Sequence, residues 1–473
     1  MKYVLIGINL LCLLFVGCTD KRTNTATPNV IIIFTDDQGY NDVGCFGSPD
    51  IETPYLDQMA KEGVKLTQFY AAQAVCSASR AALLTGCYPN RIGVHGAYMP
   101  DSKSGLHPDE VTIAEMLKKE GYATAMFGKW HLGDDPTLLP LQQGFDEYYG
   151  IPYSNDMWPY HPQQGPIFNF GPLPLYEGNT IVDTLHDQSM LTTHITERSI
   201  QFIKENKDRP FFLYVPHPQP HVPLFVSDKF KGKSKRGLYG DVIMEIDWST
   251  GQILKALKEY DIDDNTMVIF TSDNGPWLNY GDHAGSAGIL REGKGTAWEG
   301  GQREPFIIRY PEIVPDGVEV DAPMMAIDIL PTIAEVTGST LPPRTIDGVS
   351  GWNLLTGQTD QSPQPSYFYY YKQNELHGVR HGKWKLYFPH TYRSLSGREG
   401  GKGGLPVDYD YLTMESVELY NIDVDPGESS NVASQNPEIV LQIKTLADSM
   451  RVRLGDALRD QSGRENRSPA SVL

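Results

Sequence analysis

The first strongly patterned stretch is Val30-Ile31-Ile32-Ile33-Phe34, a continuous apolar run. It predicts a central strand covered on both faces, followed at once by the polar Thr35-Asp36-Asp37-Gln38-Gly39. Thr53-Pro54 then opens a short helix that stops near Gly63, with proline inside the start and glycine past the end. Thr112 and Glu115 have capping-box spacing and Ile113, Met116 and Leu117 share a face. Gly121 closes that helix before a strand over Tyr122 to Phe127. A helix with Leu191, Ile195 and Phe202 inward precedes Phe211 to Val215, and one with Ile243, Ile246, Ile253 and Leu257 precedes Met267 to Phe270. This alternation predicts an α/β fold with a large, mostly parallel sheet between helices.

In such sheets chemistry collects beyond the carboxyl ends of the strands. Asp36-Asp37 follow the first strand, Lys129 and His131 a second, His217 and His221 a third, and Asp273-Asn274 a fourth. Singly, each has a structural reading. Asp36-Asp37 can cap a turn, Asp273-Asn274-Gly275 is a tight-turn sequence, and a lone histidine is more often a hydrogen-bonded structural imidazole. Their appearance after successive strands argues for one crevice. Three carboxylates and an amide oxygen are hard ligands that suit Ca²⁺ or Mg²⁺. Cys76 lies in Cys76-Ser77-Ala78-Ser79-Arg80, at a predicted helix start. Its thiol is a poor companion for such a cation, and the mismatch disappears if oxygen replaces sulfur.

Composition adds limits. With 59 acidic against 40 basic residues, the net charge of −19 disfavours nucleic acid and anionic membrane surfaces as partners, without excluding an anionic substrate held by a few focused cations. Residues 1–18, with Lys2, an apolar Leu10 to Val16 and Gly17-Cys18, read as an export signal of lipoprotein type. Anchoring through a lipidated Cys18 and a periplasmic or outer-membrane location are therefore expected, the other reading being a plain cleaved signal. Residues 19–28 read as a tether, 29–360 as the catalytic domain, 366–456 as a C-terminal α+β subdomain after a polar, proline-containing linker, and 457–473 as a tail. Tyr367 to Tyr371 and Lys383 to Phe388 predict strands there. Ile439, Ile443, Leu446 and Met450 mark the closing helix. Cys45, Cys76 and Cys87 are too few for a disulfide framework, although an oxidising compartment allows Cys45 to pair with Cys87.

The run Cys76 to Arg80 with Thr85-Gly86 resembles the signature of the formylglycine-dependent sulfatases. The resemblance extends through Gly128 to Gly133, Thr271 to Gly275, Gly293 to Thr296, Glu299 to Gly301, Asp328 to Thr332, and the distal Glu418 to Asn421 and Asp425 to Glu428. It implies an alkaline-phosphatase-like sheet with a smaller C-terminal antiparallel sheet and helix. It also implies oxidation of Cys76 to Cα-formylglycine by a maturation enzyme, and a Ca²⁺, in preference to Mg²⁺, held by Asp36, Asp37, Asp273, Asn274 and residue 76. By the same resemblance Arg80 fixes the hydrated aldehyde, Lys129 and Lys294 contact sulfate oxygens, His221 protonates the departing alcohol, and His131 takes the second diol proton. His217 competes with His221.

The chain departs from the commonest pattern at Ala78, where proline is usual, and at Cys87, where many members carry arginine. Gln143-Gly144-Phe145 with Gly150 to Ser154 resembles the branch of arylsulfatase A and N-acetylgalactosamine-6-sulfatase, which implies a sulfated carbohydrate, galactose or N-acetylgalactosamine sulfate favoured. Asn155, Asp156, Trp158 and His161 are the candidate sugar contacts, the aromatics reading equally as core. Two rival functions remain at this level. One is a phosphatase or phosphodiesterase of the alkaline phosphatase superfamily, the other a non-catalytic binder of sulfated glycans.

Overall fold

The computed structural model describes residues 27–163, 165 and 168–472, so the expected signal, most of the tether, Cys12 and Cys18 lie outside the described residues. The large sheet is built on β1 (Asn29–Thr35), fully buried as its apolar run predicts. Around it lie α1 (Pro54–Lys61), β2 (Val64–Tyr70), α2 (Cys76–Thr85), α3 (Ile113–Lys119), β3 (Ala123–Lys129), β4 (Glu147–Ile151), the hairpin β5 (Leu173–Glu177) and β6 (Thr180–Leu185), and α4 (Leu191–Asn206). Then follow β7 (Phe211–Pro216), α5 (Leu238–Glu259), β8 (Thr266–Ser272), β9 (Arg303–Arg309), β10 (Val318–Val320) and α6 (Ile329–Thr337).

The strand order is β10-β2-β9-β8-β1-β7-β3-β4-β5-β6. The five-strand centre from β8 to β4 is parallel, whereas β9 runs antiparallel to both β8 and β2, and β5 and β6 close the far edge antiparallel. Alternate residues of β1 enter two cores. Ile31 and Ile33 join α4 and α5 on one face, while Val30, Ile32 and Phe34 join α2, α3 and α6 on the other. This geometry closes the Cys45–Cys87 pairing that the sequence left open. Cys45 packs at the first core and Cys87 inside the second, with the sheet between them, and both thiols are free.

The C-terminal part carries β11 (Ser366–Tyr371), β12 (Glu375–His381), β13 (Trp384–Tyr387), the hairpin β14 (His390–Ser394) and β15 (Asp410–Met414), β16 (Glu418–Asn421) and α7 (Pro437–Leu454). β11-β12-β13-β16 form a four-stranded antiparallel sheet. A third core joins Tyr70, Ala82 and Trp298 of the first part to Tyr369, Leu386 and Ile443 of the second. Residues from 457 onward do not trail away. Gln461–Ser462 pairs with Gly455–Asp456, and Ala470–Ser471 pairs with Ser104–Gly105 of the catalytic part. Arg467 lies beside Cys87, its Nη2 3.2 Å from Sγ and 2.8 Å from Glu110 Oε2.

Candidate active site

Four parallel strands deliver the polar clusters to one place. Asp36 and Asp37 follow β1, Asp273 and Asn274 follow β8, Lys129 ends β3, and the segment after β7 carries His217 and His221. Cys76 is the first residue of α2, and Gly86, at φ 69° in the left-handed region, stops that helix just past Thr85. Asp37 and His131 both sit at φ 63°, a conformation costly for residues with a Cβ and concentrated at functional sites. Gly128 has no such choice: at φ 139° a Cβ there would lie 2.0 Å from the Pro216 carbonyl, so glycine is what lets β3 run close to β7 next to Lys129.

The side chains interlock. Lys129 Nζ donates to Asp36 and, at 3.0 Å, to Ser154 Oγ. Lys294 Nζ is 2.7 Å from Asp37 Oδ1 and 3.4 Å from Cys76 Sγ. Arg80, fully buried, pairs with Asp273 at 2.8 Å and donates to the Lys129 carbonyl at 3.1 Å. Cys76 Sγ lies 3.5 Å from Asp36 Oδ1, and Asp37 N donates to Asp273 Oδ1 at 3.1 Å. Ligand atoms of Asp36, Asp37, Cys76 and His221 all fall within 4.8 Å of one another. Asn274 Nδ2 donates to Asp37 Oδ1 at 2.8 Å, while its Oδ1 is buried without a partner. Of the expected donors, Asp36, Asp37 and Cys76 fall in the 4.8 Å group together with His221, while Asp273 is not in it and pairs with Arg80; the two carboxylates fit a divalent cation of the Ca²⁺ or Mg²⁺ kind.

Electrostatics separate the roles. Burial raises the Asp36 carboxyl, but Lys129, His221, Arg80 and Lys294 outweigh it and hold it well below the usual range. Asp37 and Asp273 are pushed up by burial, with the charge of Asp36 adding. Burial pushes the Cys76 thiol up to about 12, which disfavours an unmodified cysteine here as a thiolate nucleophile at neutral pH. Burial, with Lys294 adding, lowers His221 to about 3. Burial, with Lys129 and Arg80, holds His131 well below its ordinary value. His131 Nε2 lies 2.8 Å from the Tyr98 carbonyl, which can only accept, so Nε2 carries the proton and the buried, partnerless Nδ1 is left as the base.

A cavity of about 220 Å³ opens onto this cluster, lined by Cys76, His131, Ser154, Asp156, His221 and Lys294 on its polar side and by Met99, Met157, Phe168, Phe170 and Trp277 on its apolar side. Larger cavities of about 800 and 890 Å³ lie elsewhere, so size alone points away from the chemistry. His217 does not compete: it is buried with Nε2 3.3 Å from Ser249 Oγ on α5.

Three of the candidate sugar contacts do not line this cavity. Asn155 is fully buried and ties Nδ2 to the His221 and Pro223 carbonyls, so it supports the histidine segment from behind. Trp158 is core, its Nε1 bonded to Leu185 O at 2.7 Å. His161 stacks on Phe168 with ring centroids 3.9 Å apart and is not among the residues lining the cavity. Only Asp156 reaches the cavity. Sequence reasoning missed Ser154, Trp277 and Arg393. Ser154 stood at the end of a recognised segment. Arg393 comes from β14, lines the cavity and donates Nε to the Lys294 carbonyl at 2.8 Å, an approach that no local pattern announces.

Comparison with known proteins agrees with this geometry. The family model "Sulfatase" matches residues 28–339, and "C-terminal region of aryl-sulfatase" matches 362–470. Arylsulfatase A of Homo sapiens is 38% identical over 453 residues, covering 89% of this chain and 87% of the relative. Among solved structures, one described as "Metabolism of multiple glycosaminoglycans by bacteroides thetaiotaomicron is orchestrated by a versatile core genetic locus" superposes with TM-score 0.78 at 29% identity, covering 91% of this chain and all of that one. Ps i-CgsB in complex with k-i-k-neocarrahexaose gives TM-score 0.73 at 28% identity, covering 90% and 92%. With the family model spanning more than half of the chain and the cluster intact behind it, the chain belongs to the formylglycine-dependent sulfatase family and is a sulfuric ester hydrolase.

Proposed function

We propose that this enzyme removes sulfate from carbohydrates, with galactose or N-acetylgalactosamine sulfates favoured, by attack at sulfur from a formylglycine at position 76. The observation that carries the reading is the convergence of Cys76 with Lys129, Lys294, His131 and His221 on one small cavity. Once converted by a maturation enzyme, residue 76 supplies a hydrated aldehyde as nucleophile in place of an inert thiol. A cation bound by Asp36, Asp37, Asp273 and the Asn274 oxygen, Ca²⁺ before Mg²⁺, supplies positive charge at the sulfate end.

The chain's own groups do the rest. Lys129 and Lys294 bring positive charge to where the sulfate oxygens gather it. The Val222 carbonyl, 2.6 Å from His221 Nδ1, fixes the proton there and leaves Nε2 toward the site. An incoming sulfate ester adds negative charge beside His221, favouring its protonated form and so its role as acid to the leaving alcohol. His131, with Nδ1 free, accepts the proton that releases sulfate.

The sulfated-sugar reading is supported by the oligosaccharide bound to the related Ps i-CgsB and by the glycosaminoglycan context of the other structural relative. The cavity is below the ~300 Å³ lower end of drug-sized sites, enough for a sulfate and about one ring.

The test is peptide mass spectrometry of protein made with a maturation system, alongside turnover of a panel of sulfated mono- and disaccharides. The expected result is loss of the thiol mass at residue 76 in active preparations and background activity for Cys76→Ala. A fully active protein with an intact thiol overturns the mechanism, and failure on every galactose-type sulfate removes that substrate.

A further inference from the structure

Asp156 stands apart from the ionic cluster while sharing its cavity. The three other carboxylates are each matched by a cation: Asp36 by Lys129, Asp37 by Lys294 and Asp273 by Arg80. Asp156 is 6% exposed and lines the cavity, and its Oδ1 is buried with no hydrogen-bond partner among the described residues. It lies near enough to His221 that its charge partly offsets the burial that lowers that imidazole. His161 is also close enough to feel its charge, and the same cavity carries Met157, Phe168, Phe170 and Trp277.

A carboxylate left unsatisfied in such a place costs stability unless something donates to it. Lys129 and Lys294 stand at the sulfate end, engaged with Asp36 and Asp37, and Arg393 is tied to the Lys294 carbonyl. What reaches Asp156 is therefore the part of the substrate that carries no sulfate. Because an ionised carboxylate only accepts, that part must bring a donor. The apolar side chains beside it accommodate the carbon face of a ring.

We propose that Asp156 is a specificity-determining residue that accepts a hydrogen bond from a hydroxyl on the sulfated ring. It would thereby select polyhydroxylated sulfate esters over aryl sulfates, which have nothing to offer it. This rests on the sulfated-sugar reading above and assigns the residue that enforces it. Sites built around a buried polar group discriminate strongly against ligands that leave the group unpaired.

The experiment compares kcat/KM of the matured wild type, Asp156→Asn and Asp156→Ala on 4-nitrophenyl sulfate, on the best sugar sulfate of the panel, and on its monodeoxy analogues. Asp156→Ala should lose roughly 10- to 100-fold more on the sugar than on the aryl ester, the size of a charge-assisted hydrogen bond. Asp156→Asn, which keeps an acceptor oxygen, should fall between and carries the comparison if the alanine variant does not fold. One deoxy analogue should lose a similar factor with wild type and little further with Asp156→Ala, the non-additivity expected when two changes remove one contact. Equal losses on both esters, or strictly additive losses with every deoxy analogue, overturn the proposal. A wild type that turns over the aryl ester but no sugar sulfate instead overturns the sugar reading on which it rests.

Discussion

The two ends of the Asn274 amide are used differently. Nδ2 is committed to Asp37 Oδ1 and the Gly275 carbonyl, while Oδ1 is buried and unpaired beside three carboxylates. The carboxylates of Asp36, Asp37 and Asp273 are balanced by Arg80, Lys129 and Lys294, so a divalent cation gives the site the net positive charge that an anionic ester needs. Chelation with EDTA should abolish turnover and lower the thermal midpoint. Calcium should restore both at lower concentration than magnesium, whose stricter octahedral demand suits this mixed donor set less well. Restoration by zinc alone in metal-stripped enzyme would contradict the hard-oxygen reading. At this scale much of the site was readable, because Asp36, Lys129, His221 and Asp273 are placed by strand ends that the apolar runs announce. Asn155, expected as a sugar contact, and Trp158, left open between sugar contact and core, depend on the opposite kind of cause. Their burial depends on how the loop after β4 folds back onto Pro223 and Leu185, which their own spacing does not encode.

Helix starts show the same division between local and distant causes. α3 begins with a complete capping box, Thr112 accepting from Glu115 N and Glu115 reaching back to Thr112 N, and was legible from two residues. α1 begins at Thr53 with no side-chain cap of its own. Its first amides, of Tyr55 and Leu56, are instead taken by Asp247 from the middle of α5 at 3.1 and 2.8 Å, a contact 191 residues away in sequence from Leu56 that no motif reveals. Burial raises the Asp247 carboxyl to about 7, although the two amides oppose it. A raised carboxyl holds its proton in the folded state while the unfolded chain has released it. Stability therefore falls as pH climbs from about 4 toward 7. Asp247→Asn lacks that dependence. Its thermal midpoint relative to wild type should rise steadily between pH 4.5 and 7.5, and a difference that stays flat with pH would refute the buried-carboxyl cause.

The two parts of the molecule are joined by a buried ionic network as well as by aromatic packing. Lys385 of β13 reaches Glu299 at 2.7 Å with both side chains fully buried, and Tyr70 donates to the same Glu299 carboxylate. Arg303 and Glu428 complete the group. Removing one member of such a pair leaves its partner charged and unpaired, so Lys385→Met should cost about 3 kcal/mol and lower the midpoint of the whole chain in a single step. Two separate unfolding transitions would show instead that the halves hold themselves independently. The alternating elements made the large sheet and the C-terminal strands predictable, but not this seam, whose partners come from β2, β9 and β13.

The pairing of Ala470–Ser471 with Ser104–Gly105 places the end of the chain against its first third. Two segments far apart in sequence thereby hold each other as a two-stranded pair, so freeing Ala470–Ser471 also frees Ser104–Gly105, and damage at the distal segment is felt inside the catalytic part.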